Sequence, residues 1–361
     1  MAMPVHRLFQ WLAGCCLFLP GLLFAQAKYN NEFLTLGVGA RAVAMSGTQA
    51  ASVSDVTSAY WNPAGLSLME DRQQAFLMHA EYFAGIAAYD YAGWACRIDG
   101  KQTVAVNLLR FAVDDIPNTT LLIDQQGNIN YDRISYFTSS DWAVLLGYGR
   151  SLSEVAEGLS VGGTAKIIRR RIGDFAGAWG FGLDAGLHYR LDKHWQFGLV
   201  AHDVTTTFNA WSHSLSPEEE EVFLKTGNEL PEDGIVYTRP RFSLGGAWNR
   251  GWESGFSLLL ALDADLFCDG RRHSLLSGGT FSLEPHFGLE AGYREIVFLR
   301  AGIGNFQHET GFGDEEYSTC QVNFGLGVRI KKRVSVDYAL TDLGDMSLAV
   351  YSHLFSLKVV F

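Results

Sequence analysis

The stretch WGFGLDAGLHYRL, residues 179–191, decides the fold. Its odd-numbered positions are apolar or aromatic from Trp179 to Leu191, whereas its even-numbered positions are glycine, polar or charged, as at Asp184 and Arg190. Side chains two residues apart share one face of a β-strand but point in different directions on a helix. The stretch therefore predicts a strand with one apolar face, aromatic near both ends, and one small or polar face. Aromatic residues at both ends favour lipid on the apolar side.

The same alternation recurs along the chain and is clear in segments 142–149, 287–294 and 321–330. It predicts an all-β chain with about fourteen strands, an even number as in bacterial outer-membrane barrels. The predicted strands are 74–82, 87–98, 101–111, 139–151, 157–171, 177–191, 194–203, 238–249, 253–266, 285–293, 296–306, 317–330, 332–340 and 352–361.

The predicted connections differ in length. Those after even-numbered strands are mostly short turns, and the longer ones follow odd-numbered strands, at 112–138, 204–237, 267–284, 307–316 and 341–351. Short turns on one rim and long loops on the other are typical of a transmembrane antiparallel β-barrel. This order of short and long connections also places the start of the first strand and the end of the last strand on the short-turn rim. The last strand is therefore expected to pair with the first.

Residues 1–27 are interpreted as a secretory signal peptide. A basic start precedes an apolar run over residues 8–24, and Ala25-Gln26-Ala27 has the form of a cleavage site. Leu12-Ala13-Gly14-Cys15 resembles a lipoprotein box, but the residues after Cys15 remain strongly apolar, so cleavage after Ala27 is the better interpretation. The remaining chain has no apolar run of about 18 residues for a spanning helix, which leaves a closed barrel as the membrane-spanning form.

Composition excludes several classes of function. The formal net charge is −11 and the basic residues form no extended cluster, so a nucleic-acid partner is not expected. Beyond the signal, Cys96, Cys268 and Cys320 fit no metal-site spacing and are interpreted as small apolar fillers, although one disulfide stays open.

No arrangement of residues predicts catalysis, a cofactor or a metal. His188 lies near Asp184 on one strand face, but ionisable groups facing the lumen of a small barrel are more often charge-balanced filling. The predicted lumen charges are Asp184, Arg190, Glu290, Arg300 and Arg329. A turn centred on Glu295 would place Glu290 directly opposite Arg300, where opposite charges attract.

The loop 204–237 is predicted to contain a helix. Ser216 is a suitable N-cap, Pro217 suits the first helical position, and Glu219 completes a capping box. Gly227 is a suitable stop for the same helix. The acidic run 218–221 is interpreted as a solvated first turn favoured by the helix dipole.

The final strand carries an assembly signal. Phe355, Leu357, Val359 and Phe361 share one face, and the chain ends on the aromatic Phe361. This strand is similar to the one that the barrel-assembly machinery recognises. That machinery and outer-membrane lipid are the expected partners of residues 74–361.

Residues 28–73 do not alternate and are predicted to form short helical turns and loops that plug the lumen. Gly37-x-Gly39-x-x-Ala42 with Asp55 imitates a dinucleotide-binding fingerprint. That mechanism needs a preceding strand and a βαβ unit, and the sequence predicts neither, so nucleotide binding is not expected.

The segment contains F-L-x-x-G-V-G-A-R-A-x-x-M at residues 33–45, an acidic residue at Asp55, and Y-W-N-P-A-G-L at residues 60–66. With these motifs it resembles the PorV/PorQ family of FadL-like outer-membrane barrels. The predicted plug-motif residues are Gly39, Arg41, Met45, Trp61, Asn62, Pro63, Ala64 and Gly65.

The resemblance implies a plugged fourteen-stranded barrel in the outer membrane of a Gram-negative-type bacterium. It also implies a platform or shuttle for type IX secretion components and secreted cargo proteins, using the long loops. The alternative is a FadL-like channel for hydrophobic small molecules, gated by the plug around Asn62-Pro63. The predicted lumen is lined mostly by glycine and charged residues. This favours the platform, because a channel for hydrophobic molecules needs an apolar pocket.

Overall fold

The structure is a computed structural model that describes residues 30–123, 127–270, 272, 274, 276–310, 316–343 and 351–361. The predicted signal peptide, residues 1–27, lies outside the described residues. No helix among the described residues is long and apolar enough to cross a membrane.

Most of the described chain forms one antiparallel sheet. Its strands are β1 (Gln73–Tyr82), β2 (Ala87–Arg97), β3 (Gln102–Asn118), β4 (Ser135–Ser151), β5 (Leu159–Ile172), β6 (Ala176–Arg190), β7 (Trp195–His202), β8 (Thr207–His213), β9 (Gly234–Thr238), β10 (Arg241–Gly251), β11 (Phe256–Phe267), β12 (Leu276–Ser277), β13 (Ser282–Tyr293), β14 (Val297–Thr310), β15 (Glu316–Ile330), β16 (Val334–Leu343) and β17 (Ser352–Val360).

The sheet closes on itself as a barrel of fourteen strands, which confirms the predicted fold class. β17 pairs with β1 from Gln74 opposite Val360 to Glu81 opposite His353, so the expected closure of last strand on first is also confirmed. β7 and β8 together form one barrel strand, because both pair with β6. β9 and β10 form the next, and β12 lies in the connection between β11 and β13.

Two predicted loops were wrong in extent. The chain over 204–237 contains β8 and β9 as well as the helix, and 112–138 is shortened because β3 continues to Asn118 and β4 begins at Ser135. The alternation in these extensions is weak, because Phe208 and Ile235 are exposed while Trp211 and Val236 occupy the opposite face. The barrel wall is consequently taller over β3–β9 than the sequence predicts.

The two rims differ as expected. Connections after even-numbered barrel strands run over 98–101, 152–158, 191–194, 252–255, 294–296 and 331–333. We call this the short-turn rim, and both β1 and β17 have their chain ends there. The opposite, long-loop rim carries the connections 119–134, 214–233 and 268–281.

The apolar face of the wall points outward. On β6, the Trp179 side chain is 60% exposed, whereas Asp184 on the alternate face is 7% exposed. Outward aromatic residues near the short-turn rim pair across strands, as Trp195 does with Trp248 and Phe256 with Tyr293. An outer band of this kind, with aromatic residues at its edges, suits a lipid surface.

The loop helix is confirmed in detail at Pro217–Lys225. Ser216 accepts a hydrogen bond from the Glu219 backbone N–H, and the Glu219 side chain accepts one from the Ser216 backbone N–H, which completes the capping box. Gly227 has a positive φ of 74° just after the last turn, as a C-terminal stop requires.

Residues 30–72, here called the inner segment, lie inside the barrel. They form the helices Ala40–Ala44 and Ser58–Trp61 and the 3₁₀ turns Glu32–Leu34 and Pro63–Leu68. Glycine occupies the inward wall positions that the inner segment approaches most closely, and a Cβ at any of them would contact that segment. These positions are 147, 149, 162, 186, 198, 245, 288, 302, 304 and 325. The high glycine content of the alternating strands therefore creates the room that this segment fills.

We predict that a side chain at one of these glycines displaces the inner segment. A Cβ at Gly147 would lie 2.6 Å from the Ala59 Cβ, whereas a Cβ at the outward-facing Gly246 meets nothing closer than 3.7 Å. Gly147→Val should lower the free energy of unfolding by about 1–3 kcal/mol because the site is overpacked.

Gly246→Val is the matched control and should leave the stability nearly unchanged. Denaturant unfolding of the two variants in detergent micelles provides the measurement. Equal stability of the two would show that the inner segment does not press on the wall at this position.

Candidate functional site

The barrel wall is distorted where β7 gives way to β8. Ala201 is paired with Ala185 of β6 and Phe208 with Phe181, so residues 182–184 face residues 202–207. Asp203 and Thr206 adopt positive φ values of 55° and 62°, and Val204 is exposed on the outside. The extra residues form an outward bulge, a device that bends a strand and redirects its side chains.

The neighbouring barrel strand is interrupted at the same height. Arg239 and Pro240 separate β9 from β10, and Pro240 has no backbone N–H to donate to the wall. Thr207 pairs with Thr238 above the interruption and His202 with Arg241 below it. The two breaks together give the wall a locally irregular patch.

A buried ionic cluster lies on the inner side of this patch. The Lys166 Nζ contacts the Asp184 Oδ1 at 2.7 Å and also bonds the Asp203 carboxylate. The Asp203 backbone N–H donates to Asp184 at 2.8 Å, and the His202 ring lies 3.7 Å from Asp184. Because a lone buried charge is costly, this mutual pairing is what lets Lys166 remain in the lumen.

A cavity of about 270 Å³ lies between this cluster and the inner segment. Its apolar lining comes from Leu34, Tyr60, Leu145 and Phe267. Its charged lining includes Glu32, Lys166, Asp184, Asp203, Arg241 and Arg272. The cavity is small, and its lining combines aromatic and charged side chains.

A second cavity of about 590 Å³ lies beside the first and reaches residues near the long-loop rim, such as Phe83 and Asp342. Six residues line both cavities: Glu32, Thr35, Tyr60, Arg241, Phe267 and Arg272. The larger cavity is therefore a vestibule that adjoins the smaller one.

Phe267 marks the boundary between the two cavities. The Arg272 guanidinium lies 3.9 Å from the centre of its ring and that of Arg241 lies 5.5 Å away. Arg272 also pairs with Asp269 at 2.6 Å and with Glu32 of the inner segment at 3.1 Å. The boundary thus joins a wall strand, a long-rim loop and the inner segment.

One predicted plug-motif residue, Arg41, meets two of the predicted lumen charges, Glu290 and Arg300, in one network. Arg41 of the inner segment contacts Glu290 at 2.8 Å, and Arg300 contacts the same carboxylate at 2.6 Å. Arg300 also pairs with Asp337 at 2.6 Å. Glu290 and Arg300 are register partners across β13 and β14, so their predicted opposition is confirmed.

The other motif residues pack the inner segment together and against the wall. Asn62 is fully buried and donates to the Ala50 and Leu187 carbonyls at 2.6 and 3.2 Å. The Trp61 Nε1 donates to the Val38 carbonyl at 2.9 Å. Close contacts with wall glycines or with other parts of the inner segment involve Gly39, Met45, Pro63, Ala64 and Gly65.

Some predicted residues lie apart from this network. Arg190 is exposed at the short-turn end of β6, and Arg329 lies over the Phe298 ring at 5.2 Å. Phe361 is 70% exposed, and its backbone N–H bonds the Gln73 carbonyl. His188 contacts the Ala51 carbonyl at 3.0 Å and forms no pair with Asp184.

The three cysteines beyond the predicted signal are free thiols in the structure. Cys268 lines the smaller cavity. Cys96 pairs with Val104 on the lipid-facing side of β2.

Comparison with solved structures finds similar barrels. TodX, the toluene transporter of Pseudomonas putida, matches with a TM-score of 0.54 and 14% identity, over 90% of this chain and 98% of that one. TbuX, the toluene transporter of Ralstonia pickettii, matches with a TM-score of 0.52 and 14% identity over the same shares. A FadL homologue of Pseudomonas aeruginosa matches with a TM-score of 0.52 and 10% identity, again over 90% and 98%.

These similarities show the fold: the chain forms a barrel that resembles those of the two toluene transporters and of the FadL homologue. No family model and no curated protein matches the chain. The narrower PorV/PorQ resemblance and its type IX secretion role therefore gain no support from the comparisons.

We predict that the Arg41–Glu290–Arg300 network holds the inner segment in place. Glu290→Gln removes a carboxylate shared by the buried Arg300 and the partly buried Arg41, which should cost about 3 kcal/mol of unfolding free energy. Denaturant titration in micelles measures this loss. Glu157→Gln, in an exposed turn of the short-turn rim, is the control, and an equal effect of both would refute the anchoring role.

Proposed function

We propose that the protein is an outer-membrane channel that admits small organic molecules from the long-loop side. The observation that carries this proposal is the pair of adjoining cavities inside the barrel, which share six lining residues from Glu32 to Arg272. Ligand sites in barrels commonly occupy such concave spaces at the mouth. The vestibule would collect a solute and the smaller cavity would bind it.

The inner segment acts as the plug of this channel. It is anchored to the wall through Arg41 and Asn62, and it packs against lumen glycines from β4 to β15. Its residues Leu34 and Tyr60 line the binding cavity. Passage therefore requires the plug to shift or the wall to open, and the irregular patch at residues 203–206 lies against the cavity.

The lining favours a solute with an aromatic or apolar body and a hydrogen-bonding group. Tyr60 and Phe267 offer apolar surface, but Lys166, Asp203 and Arg241 face the same space. Proteins of similar fold with solved structures are described as toluene transporters and as a monoaromatic hydrocarbon channel. A charged lining makes an unsubstituted hydrocarbon a poorer fit here than an aromatic alcohol or acid.

The platform role in type IX secretion stands as the rival. It rests on the motifs at residues 33–45 and 60–66 and needs no open cavity. A pull-down from outer membranes separates the two proposals. Recovery of secreted cargo proteins together with normal solute entry in a deletion strain would favour the platform.

We predict that filling the smaller cavity blocks uptake. Cys268→Trp places a large ring at the cavity lining, whereas Cys96→Trp adds the same ring on the lipid-facing side of β2. In a Gram-negative host lacking its own hydrophobic-solute channel, Cys268→Trp should slow entry of radiolabelled benzyl alcohol by roughly fivefold or more, since the ligand space is occupied.

Cys96→Trp should leave entry at the rate of the unaltered protein, and both variants must reach the membrane in equal amounts. Toluene serves as the comparison solute and should enter more slowly than benzyl alcohol. Uptake no faster than in cells without the protein would refute the channel.

A further inference from the structure

The barrel closes where β17 pairs with β1, and this pairing is here called the seam. Gln74 and Val360 are partners there, although nearly the whole chain separates them in sequence. Most other pairings join strands that are consecutive along the chain. Bringing the two end strands together has the largest entropy cost of loop closure, so this pairing needs additional stabilising contacts.

The inner segment contacts β1 along its inward face. The Gly39 backbone N–H points at the Met78 Sδ at 2.9 Å, and the Val56 backbone N–H donates to the Gln74 Oε1 at 3.1 Å. Both side chains belong to the buried face of the strand. The first barrel strand is therefore bonded to two separate points of the inner segment.

The same segment contacts β17 directly across the seam. The Ala40 backbone N–H donates to the Ser356 Oγ at 3.2 Å, and the Lys358 Nζ donates to the Asp55 Oδ2 at 2.8 Å. The Lys358 and Asp55 side chains are only 18% and 16% exposed. This ion pair is thus largely shielded from water and is worth more than a surface pair.

Two of these contacts lie at the same register position of the seam. Met78 and Ser356 are register partners, and they are bonded by the consecutive amides of Gly39 and Ala40. A slip of β17 by two residues would keep its faces but would move Ser356 and Lys358 away from their partners. The inner segment therefore distinguishes the correct register from the slipped one.

We propose that the inner segment has a second function, as a clamp that brings β1 and β17 together in register and so closes the barrel. It is fixed independently on β13 and β14 through Arg41 and Glu290, so it can receive the two end strands. Phe76, Met78 and Leu354 of the seam share one apolar cluster with Ala40 and Val43. The clamp combines this apolar contact with the polar contacts that select the register.

The acidic member of the clamp is held in its charged form. Burial raises the pKa of Asp55, but the Lys358 ammonium and the hydrogen bonds from Thr57 outweigh burial and hold the pKa at about 2. The carboxylate is therefore available to Lys358 across the physiological pH range.

The test follows closure of the full-length mature chain from urea into short-chain phosphatidylcholine vesicles. The rate of closure is measured from the increase of the folded band on SDS gels of unheated samples. Asp55→Asn and Lys358→Met should each slow closure by about tenfold, as expected for contacts formed in the rate-limiting step. The charge exchange Asp55→Lys with Lys358→Asp should restore much of the rate.

Asp141→Asn is the matched control, because it removes the Arg170–Asp141 ion pair between β4 and β5, which is similarly shielded from water and lies away from the seam. It should lower stability without slowing closure. Register is read by crosslinking in a background of Cys96→Ser, Cys268→Ser and Cys320→Ser. Leu77→Cys should crosslink with Leu357→Cys, its partner in the seam, and Asp55→Asn should raise crosslinking of Leu77→Cys with Val359→Cys.

The clamp is refuted if Asp55→Asn and Lys358→Met close at the unaltered rate with unchanged crosslinks. It is equally refuted if Asp141→Asn slows closure as much as they do, because the effect would then follow general stability alone. Neither outcome bears on solute entry, so the channel proposal stands or falls separately.

Discussion

The structure depends on close approach between two backbones, that of the barrel wall and that of the inner segment. A fourteen-stranded barrel has a lumen too wide for its own side chains to fill. Here glycine at inward positions such as Gly162, Gly245 and Gly302 lets residues 30–72 lie against the strands. The wall gives up side-chain packing and gains a second layer of chain in contact with it. The anchoring network of Arg41 and the cavity beside Tyr60 both follow from where that layer lies.

The same layer connects stability to the proposed function. Where the inner segment touches the wall, the lumen is closed, and beside Glu32, Leu34 and Tyr60 the cavity of about 270 Å³ remains. Charges in the lumen are paired across elements, as in Lys166 with Asp184 and Arg272 with Glu32. Paired charges keep the cavity polar without leaving any of these groups isolated in a region of low dielectric.

Much of the fold could be predicted from sequence, because alternation has a period of two and specifies which face each residue occupies. It gave fourteen strands, the closing pair, and Glu290 opposite Arg300. The bulge at residues 203–206 could not be predicted, since Asp203 and Thr206 adopt positive φ without the glycine that usually signals it. The cavity residues Lys166 and Arg272 were also missed. Their partners lie on other strands and loops, which the alternation within one strand cannot bring together. The alternation along β5 does, however, place Lys166 on the inward face.

The most direct test of the account is an experimental structure of the protein in lipid with benzyl alcohol bound. The account predicts ligand density in the cavity of about 270 Å³ beside Tyr60 and Phe267, with the inner segment still packed against the wall glycines. Density confined to the outer surface of the barrel, with this cavity empty or occupied by side chains, would contradict it.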